Sequence, residues 1–394
     1  MTARYVKRAN EVTLRSGKLT TMRKVASCGL KTPTDIFVVV DAAFRQYAEY
    51  GYLPEAVEAE IKSALAPLLA RGEVGIRCAF FIPNEKLRQW PMPITKNFTM
   101  ADDCLEHITK TCWDFVIAKG LDVPGSEIAL LLQNFICPFA SGTLLTSYDA
   151  ERQYSFIEAI YGIWEGLQSR PHDFYLLRKS NWRLVQASIG RKKEMLMRTG
   201  CAELRFVPVP DVLQDEPVLP ETLAREVAQQ GQLLEDRYGP QIVEFFIEES
   251  PSTHGTNQDV ILVWQCDGYQ PASDVTMLKG NAVMLSRSPV AKTLVFCGPV
   301  IAISTREEVP KSVGDGIVFL HGSIVEDRDW VITKLARILD KGQPVLLTAG
   351  ITSHLAQVLC DWGLFPISTA QKFSTGQWVD IQVNKNGIRI AVED

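Results

Sequence analysis

One histidine stands where a glycine-containing turn meets a predicted helix. In the stretch LTAGITSHLAQVLCDWGLFPI, residues 347–367, His354 follows Gly350, Thr352 and Ser353. The apolar residues that recur behind it at helical spacing are Leu355, Val358, Leu359 and Trp362. Serine and threonine are ordinary N-cap residues, so the residues allow two interpretations. His354 is either a core histidine beside a helix cap or a histidine presented to accept a chemical group.

The second interpretation points to phosphoryl transfer. A neutral imidazole is a good nucleophile, and its ordinary pKa of about 6.5 leaves it mostly neutral at cellular pH. A phosphoryl group at a helix N-terminus meets backbone N–H groups and the positive end of the helix dipole. The hydroxyl groups of Thr352 and Ser353 add donors, and Gly350 lets the turn approach closely because it has no side chain.

A carboxylate in an apolar strand is a second candidate for chemistry. Glu244 lies within IVEFFI, residues 242–247, where a carboxylate is costly unless a metal or a cation meets it.

The remaining histidines have no motif around them, and we interpret them as structural or exposed: His107, His172, His254 and His321.

Two regions of predicted elements must position these residues, separated by the polar, Gly- and Pro-containing stretch 264–282. In the first region the patterns predict helices over 54–72, 154–168 and 219–239, strands over 73–82, 126–136, 242–247 and 260–264, and a surface loop over 248–259. In the second they predict strands over 282–286, 293–297 and 300–304 and a hairpin over 377–392 around Asn386–Gly387. The second region is therefore predicted to be β-rich, with at least two helices.

Composition excludes several classes of protein. The 394 residues carry a net charge of -5, which argues against nucleic acid as the main partner. The nine cysteines include no CxxC pair, so a zinc site is not expected and the thiols are expected to be reduced. Neither an N-terminal apolar region nor a membrane-spanning stretch is present in the sequence. We therefore expect a cytoplasmic protein without a membrane partner.

Six segments, taken in order, resemble the pyruvate phosphate dikinase and phosphoenolpyruvate synthase family. The segments are GKLTTMRKVASCGLKTPTDIFVVVDAAF (17–44), VGIRCAFF (74–81), ALLLQNFICPFASGTLLTSY (129–148), FIEAIYGIWEGLQSRPHDFYLLR (156–178), RYGPQIVEFFI (237–247) and the histidine segment 347–367. The resemblance implies an α+β multidomain fold. A two-lobed ATP-grasp nucleotide-binding domain (1–268, with lobes of about 1–125 and 126–268) would be joined by a linker (269–281) to a β/β/α swivelling phosphohistidine domain (282–394).

The same resemblance assigns roles residue by residue, with ATP and Mg²⁺ as cofactors. His354 would carry the phosphoryl group. The nucleotide-binding positions would be Lys18 and Arg77 at the phosphates, Gln133 beside the adenine, and Glu158 and Glu165; Glu244 and Gln265 would hold Mg²⁺ and phosphates. A cationic cradle with a carboxylate-held metal suits phosphoryl transfer, because catalysis there is mainly positioning and charge neutralisation.

Three departures from the family pattern bear on catalysis. After Arg77, the bulky segment 78–98 with its three prolines replaces a Ser/Gly-rich phosphate loop. Asp267 stands where the family has an arginine that helps to stabilise the transferring phosphoryl group, and Lys192 or Lys193 would have to compensate. AGITSH in place of GGxTSH is a mild change.

Two functions follow from these residues. The first is an ATP-dependent dikinase-like phosphotransferase that passes a phosphoryl group from ATP to His354 and on to an unidentified acceptor. Because the family's acceptor barrel has no counterpart in the sequence, that acceptor would be a separate protein or a small molecule. The alternative is a catalytically degenerate nucleotide-binding module that regulates or scaffolds a partner. The sequence leaves open which phosphate is transferred and whether copies form a homo-oligomer.

Overall fold

A computed structural model describes the chain as a mixed α/β protein with several sheets. The described residues are 4–83, 93, 96–149, 151–168, 170–199, 203–250, 258–269, 271, 282–284, 294–310, 312–325, 328–335, 338–340, 342–348, 355, 356, 359, 363–369, 371–384 and 387–393. They divide into two compact units. The first comprises Met1–Cys137, Arg198–Arg205 and Leu262–Asp267, and the second comprises Pro138–Met197, Phe206–Ile261 and Gly268–Asp394. Almost all of the predicted linker 269–281 lies outside the described residues, and the domain limits remain predictions.

The first unit is built on a five-stranded antiparallel sheet. Its strands are β1 (Val6–Arg8), β2 (Phe37–Val39), β3 (Val74–Cys78), β4 (Lys96–Phe98) and β5 (Leu130–Asn134), in the order β1-β2-β5-β3-β4. Its helices are α1 (Gly17–Ser27), α2 (Asp41–Tyr50), α3 (Glu55–Leu69), α4 (Ala101–Glu106) and α5 (Asp114–Ala118), with a π-helical turn, His107–Trp113, between the last two. The structure confirms the helix predicted over 54–72 and the strands predicted over 73–82 and 126–136.

Side chains of the central strands point alternately to the two faces of the sheet, and each face packs against a separate apolar layer. Leu130 and Leu132 of β5 face the larger core, which α2 and α3 cover, while Leu131 faces a smaller cluster that includes Leu19 of α1. Because successive side chains of a strand point to opposite faces, Gln133 of β5 and Arg77 of β3 lie on the α1 side of the sheet.

The second unit contains a six-stranded sheet and a long helix. Its elements are β6 (Ala140–Leu145), β7 (Tyr154–Tyr161), β8 (Asp173–Arg178), β9 (Arg183–Ser188), β10 (Glu194–Thr199), β11 (Glu203–Pro208), α6 (Glu221–Tyr238), β12 (Gln241–Ser250) and β13 (Gln258–Gly268). The parts of β10 and β11 within Arg198–Arg205 and the part Leu262–Asp267 of β13 belong to the first unit. The strand order is β13-β12-β6-β7-β8-β9, and β10 and β11 pair separately. The structure confirms the helix predicted over 219–239, which begins after Pro220 and ends at Tyr238, followed by Gly239 with a φ of 74°.

Two predictions in this region were wrong. Residues 154–168 form strand β7 and a 3-10 turn, Trp164–Gln168, in place of a helix. Both faces of β7 are buried, so its apolar residues do not alternate with polar ones and the period-two signal is lost. The predicted loop 248–259 is shorter than expected, because β12 continues to Ser250 and β13 begins at Gln258.

The second unit also contains a seven-stranded sheet, whose strands are β14 (Ala282–Met284), β15 (Leu294–Ile303), β16 (Ile317–Leu320), β17 (Pro344–Leu347), β18 (Phe365–Thr369), β19 (Trp378–Asn384) and β20 (Gly387–Glu393), with α7 (Arg328–Leu335). The order is β14-β18-β17-β16-β15-β19-β20, and β15 to β18 run parallel. The predicted hairpin is confirmed as β19 and β20, whereas the two strands predicted over 293–304 are the single strand β15.

One apolar cluster joins the two large sheets of this unit, and we call it the intersheet cluster. From the six-stranded sheet it contains Leu145, Phe156, Phe174 and Leu176; from the seven-stranded sheet it contains Ile303, Val318, Leu320, Val345 and Leu347; and it also contains Leu355, Ala356 and Leu359.

No helix among the described residues is both long enough and apolar enough to span a lipid bilayer.

Candidate functional site

Arg77 and Gln133 are neighbours on one face of the first unit's sheet. Gln133 lies opposite Gly75 in the register between β5 and β3, and Arg77 lies opposite Leu131. The two polar side chains therefore occupy diagonal positions on adjacent strands, a separation that long side chains bridge. The sheet brings together two residues that are 56 positions apart in the sequence.

Lys18 reaches the same part of the sheet from helix α1. Its Nζ donates a hydrogen bond of 2.7 Å to the carbonyl oxygen of Cys78, the last residue of β3. Cys78 directly follows Arg77, so both predicted phosphate-binding residues lie at the same end of β3. The structure thus places Lys18, Arg77 and Gln133 in one region of the first unit.

Arg77 stacks on a tryptophan that sequence analysis did not single out. Its side chain is buried, with 5% exposure, and the guanidinium carbon lies 3.7 Å from the ring centroid of Trp264. A guanidinium over an indole face is a favourable cation–π contact. The available sequence signal was the position of Trp264, directly before the predicted ligand Gln265.

Gln133 is a buried amide with one unsatisfied atom. The residue is 2% exposed, and its Oε1 has no hydrogen-bond partner in the part of the chain that the structure describes. Leaving a buried acceptor unsatisfied costs about 1–3 kcal/mol. A ligand that donates a hydrogen bond here would remove that cost, and the exocyclic amine of adenine is such a donor. This is compatible with an adenine nucleotide at the position that the family resemblance assigns to Gln133.

Gln265 and Asp267 lie beside the start of α1. The Gln265 Nε2 donates to Asp267 Oδ2 at 2.8 Å, and a Cβ added at Gly17 would lie 3.9 Å from Asp267 Oδ1. The intervening Cys266 is held to α1 by Thr21, whose hydroxyl donates to the Cys266 carbonyl at 3.0 Å and accepts from its N–H at 3.1 Å. The exposed Asp267 carboxylate thus stands near a helix N-terminus, a region that favours anions.

In the second unit, two predicted carboxylates lie in one row across the sheet. Glu244 of β12 is in register with Thr143 of β6, which is in register with Glu158 of β7. The row faces the same side of the sheet as the intersheet cluster. Trp164 lies over this row and donates from Nε1 to the Thr143 hydroxyl at 2.8 Å. Glu244 is half-buried.

Glu158 is fully buried and forms an ion pair with His172. The Glu158 Oε1 lies 3.4 Å from His172 Nε2, and the His172 side chain is only 8% exposed. Burial alone would lower the pKa of His172, but the hydrogen bond and negative charge of Glu158, helped by the Arg170 carbonyl and Asp173, raise it above its ordinary value. His172 is therefore buried and structural; sequence analysis did not predict its ion pair with Glu158.

Lys192 forms another buried ion pair. Its Nζ lies 2.6 Å from Asp173 Oδ1 and donates to the Gly190 carbonyl at 2.7 Å, and both charged side chains are fully buried. Asp173 also accepts hydrogen bonds from the backbone of Gly190 and Val218. The suggestion that Lys192 compensates for Asp267 was wrong, because its ammonium group is held by Asp173.

Several predicted residues lie outside the description. Gly350, Thr352, Ser353 and His354 are not among the described residues, although Leu355 and Ala356 directly after them are helical and buried. Glu165 falls in the 3-10 turn after β7. Within the described ranges, no three His, Cys, Asp or Glu side chains are arranged to hold a metal ion.

Comparisons with known proteins agree with a nucleotide site. Residues 100–268 match the family model described as pyruvate phosphate dikinase, AMP/ATP-binding domain. A probable phosphoenolpyruvate synthase of Archaeoglobus fulgidus is 24% identical over 75% of this chain and 39% of its own length. Phosphoenolpyruvate synthase of Pyrococcus furiosus is 26% identical over 71% of this chain and 36% of its own length.

A rifampicin phosphotransferase of a Streptomyces species is 24% identical over 53% of this chain and 26% of its own length. The chain thus spans about a quarter to two fifths of these relatives. The solved VanG D-Ala:D-Ser ligase of Enterococcus faecalis aligns with 64% of this chain and 52% of its own length at 9% identity, with a TM-score of only 0.26.

Proposed function

Because the chain belongs to the pyruvate phosphate dikinase and phosphoenolpyruvate synthase family, we propose that it is an ATP-dependent phosphotransferase. In this proposal the region 1–268 binds ATP, His354 accepts a phosphoryl group, and the group then passes to an acceptor. The observation that carries the nucleotide part is the buried Oε1 of Gln133, which has no partner among the described residues. It lies on the same sheet face as Arg77.

The phosphates would bind at Lys18 and Arg77. Both side chains bring a positive charge to the end of β3, where the Lys18 ammonium contacts the Cys78 carbonyl and the Arg77 guanidinium contacts an indole ring. A charge-assisted hydrogen bond to phosphate contributes about 1.5–3 kcal/mol. Lys18→Ala or Arg77→Ala should therefore weaken the binding of Mg·ATP at least tenfold.

Glu244 and Gln265 are the residues that we propose for Mg²⁺, with Glu158 and Glu165 near the nucleotide. A bound Mg²⁺ neutralises charge on the transferring phosphate and usually takes only one or two carboxylates besides phosphate oxygens and water. Glu244 suits that role because it lies half-buried at the end of the row across the sheet. Glu158 would act indirectly, since its carboxylate is held by His172.

His354 is the proposed nucleophile. A lone pair of its neutral imidazole would form a bond to phosphorus while the bond from phosphorus to the leaving nucleotide oxygen breaks. Thr352 and Ser353 would donate hydrogen bonds to the phosphoryl oxygens, and Gly350 would allow the turn to approach closely. The helical Leu355 and Ala356 support this proposal, because they follow His354 directly.

Isotope labelling tests the carrier role. Protein incubated with ATP labelled at the β or the γ phosphate should retain an acid-labile, base-stable label, and His354→Ala should abolish the label without weakening ATP binding. His321→Ala is the matched control, because His321 stacks on Phe319 and has no proposed role. Wild-type protein that binds ATP but takes up no label from either position, with Mg²⁺ or Mn²⁺, would refute the transfer.

The acceptor is a separate question. The relatives' names indicate that they form phosphoenolpyruvate or phosphorylate rifampicin, so related proteins differ in their acceptors. We propose a small molecule or a separate acceptor protein. Loss of label from the phosphorylated protein upon addition of a candidate acceptor, with recovery of the label in that acceptor, would identify it.

A nucleotide-binding regulatory module is the second candidate, and Asp267 is the observation that favours it. This carboxylate stands by the N-terminus of α1, where it would repel a nucleotide phosphate. Asp267→Arg separates the two functions. It should accelerate labelling if the chain is a weakened phosphotransferase, since a guanidinium would stabilise the charge in transfer. ATP binding with no label in either the wild type or Asp267→Arg would favour the regulatory module.

A further inference from the structure

Three segments of the first unit, namely α1, β3 and the part Leu262–Asp267 of β13, meet in a closed triangle of contacts. Lys18 of α1 binds the Cys78 carbonyl of β3, Thr21 of α1 binds the backbone of Cys266 in β13, and Arg77 of β3 stacks on Trp264 of β13. A further backbone bond of 2.9 Å, from Val263 N–H to the Lys31 carbonyl, also holds β13 in place. The Arg77–Trp264 stack is made between two side chains.

We propose that Trp264 is a positioning residue that fixes the Arg77 guanidinium for contact with a nucleotide phosphate. Burial restricts the guanidinium, and the indole face 3.7 Å from it defines the plane in which its N–H groups lie. A flat guanidinium lying on an aromatic face keeps its edge N–H groups directed outward, which suits forked contact with phosphate oxygens. This inference rests on the proposed nucleotide site.

Trp264 can be replaced while other contacts of the triangle still hold β13, so the inference can be tested in the folded protein. Replacing the indole leaves the backbone contacts of Thr21 with Cys266 and of Val263 with Lys31 in place, so Trp264→Leu retains two of the ties that hold β13. Trp264→Phe keeps an aromatic face, although a phenyl ring attracts cations less strongly than indole does.

A double-mutant cycle on the full chain provides the test. The dissociation constant for Mg·ATP is measured by calorimetry for the wild type, Trp264→Leu, Arg77→Ala and the double variant, with urea unfolding of each as the check on folding. We expect about a tenfold loss in Trp264→Leu, partial recovery in Trp264→Phe, and a double variant no weaker than Arg77→Ala alone. That non-additivity is the signature of an effect passed through Arg77.

Two outcomes would overturn the proposal. If Trp264→Leu binds Mg·ATP as the wild type does, or if its loss adds fully to that of Arg77→Ala, Trp264 does not act through Arg77, and the nucleotide site itself stands. If the wild type binds no nucleotide, the proposed function fails first and this inference falls with it. A variant of Trp264 that unfolds is replaced by Trp264→Phe, whose ATP affinity must then lie below that of the wild type.

Discussion

Buried glutamines in the two units contrast in how their amides are satisfied. In the second unit, Gln241 is buried and its Nε2 donates to the carbonyls of Tyr238, Gly239 and Pro240. In the first unit, Gln133 is equally buried, yet its Oε1 meets no donor among the described residues. Folded proteins satisfy most of their buried polar atoms. The turn that Gln241 closes accounts for its amide group, whereas nothing among the described residues accounts for the Gln133 oxygen.

The buried charges of the second unit, like the Gln241 amide, have partners within the protein. Lys192 meets Asp173 and His172 meets Glu158, so each charge has an opposite charge inside the protein. Burial and charge alone therefore do not mark a ligand site. Among the described residues, unsatisfied buried atoms occur in both units, for example Gln230 Oε1 and Gln232 Oε1 in the second. The Gln133 Oε1 supports a ligand site because Arg77 lies on the same face of its sheet.

The largest expected effect comes from breaking the Lys192–Asp173 pair. Lys192→Met leaves the Asp173 carboxylate buried without its cation, and removing one partner of a buried pair costs about 3–5 kcal/mol of unfolding free energy. Urea unfolding measures the loss. Lys62→Met is the control, since Lys62 pairs with Glu58 on the surface and should leave stability close to that of the wild type.

If the buried charges of the second unit lie outside the ligand site, Lys192→Met binds ATP as tightly as the wild type under conditions where the variant is folded. Equal destabilisation by Lys192→Met and Lys62→Met would show that the buried pair is not special. A large loss of ATP affinity in folded Lys192→Met would place this pair in the ligand site.

A pH dependence is the second expected effect. The pKa of His172 is raised on folding, so protonation favours the folded state. Its contribution is complete below the ordinary pKa of about 6.5 and is lost as pH rises through the raised value. Stability should fall with rising pH in that window by at most about 1.4 kcal/mol per pH unit.

His172→Gln and Glu158→Gln should each flatten that slope in urea unfolding measured between pH 6 and pH 9, because either change removes the pair. His321→Gln should keep it. A slope unchanged in both His172→Gln and Glu158→Gln would show that His172 is not the group that titrates.

The smallest effect is expected at Gln133. It tests most directly whether the unsatisfied amide oxygen binds a ligand. Gln133→Leu removes the unsatisfied oxygen and should raise the unfolding free energy by about 1 kcal/mol. It should also weaken ATP binding by about threefold to tenfold, the effect of one hydrogen bond. The wild type should prefer ATP to GTP, because the 6-amino group of adenine donates where the 6-oxo group of guanine cannot, and Gln133→Leu should lose that preference.

Gln241→Leu is the matched control. It should lower stability, because three carbonyls lose their donor, and it should leave the preference for ATP unchanged. Calorimetry with both nucleotides and urea unfolding measure the two quantities. Stability that falls in Gln133→Leu would mean that the Oε1 has a partner within the protein.

Elements with strong local signals were predictable from the sequence. Pro220 and Gly239 marked the ends of α6, and Asn386–Gly387 marked the hairpin of β19 and β20. Strand β7 was not predictable, because Phe156 and Ile160 are spaced as in a helix while both faces of the strand are buried by neighbours distant in sequence. Local patterns carry no information about such tertiary burial.

The residues of the candidate site also fall into those that the sequence predicted and those that it did not. The family resemblance predicted Lys18, Arg77 and Gln133. The sheet of the first unit places Arg77 and Gln133 on adjacent strands, and Lys18 of α1 contacts the end of β3. Trp264 and the pairing of His172 with Glu158 were missed, because neither belongs to a motif and both depend on which strands become neighbours. Strand order is a non-local property, and residue spacing did not reveal it.

Under the proposed phosphoryl transfer, the intersheet cluster would limit how often a carrier histidine at position 354 could move. Leu355, the residue after His354, is buried in this cluster together with Phe156 and Leu320. Returning one such side chain to water costs about 1.5–3 kcal/mol, so detaching many at once is a rare event, and collective domain motions already take microseconds to milliseconds. Turnover would then be timed by how often the apolar contact separates. Enlarging or trimming those side chains would change the rate of the cycle without altering the atoms that exchange the phosphoryl group.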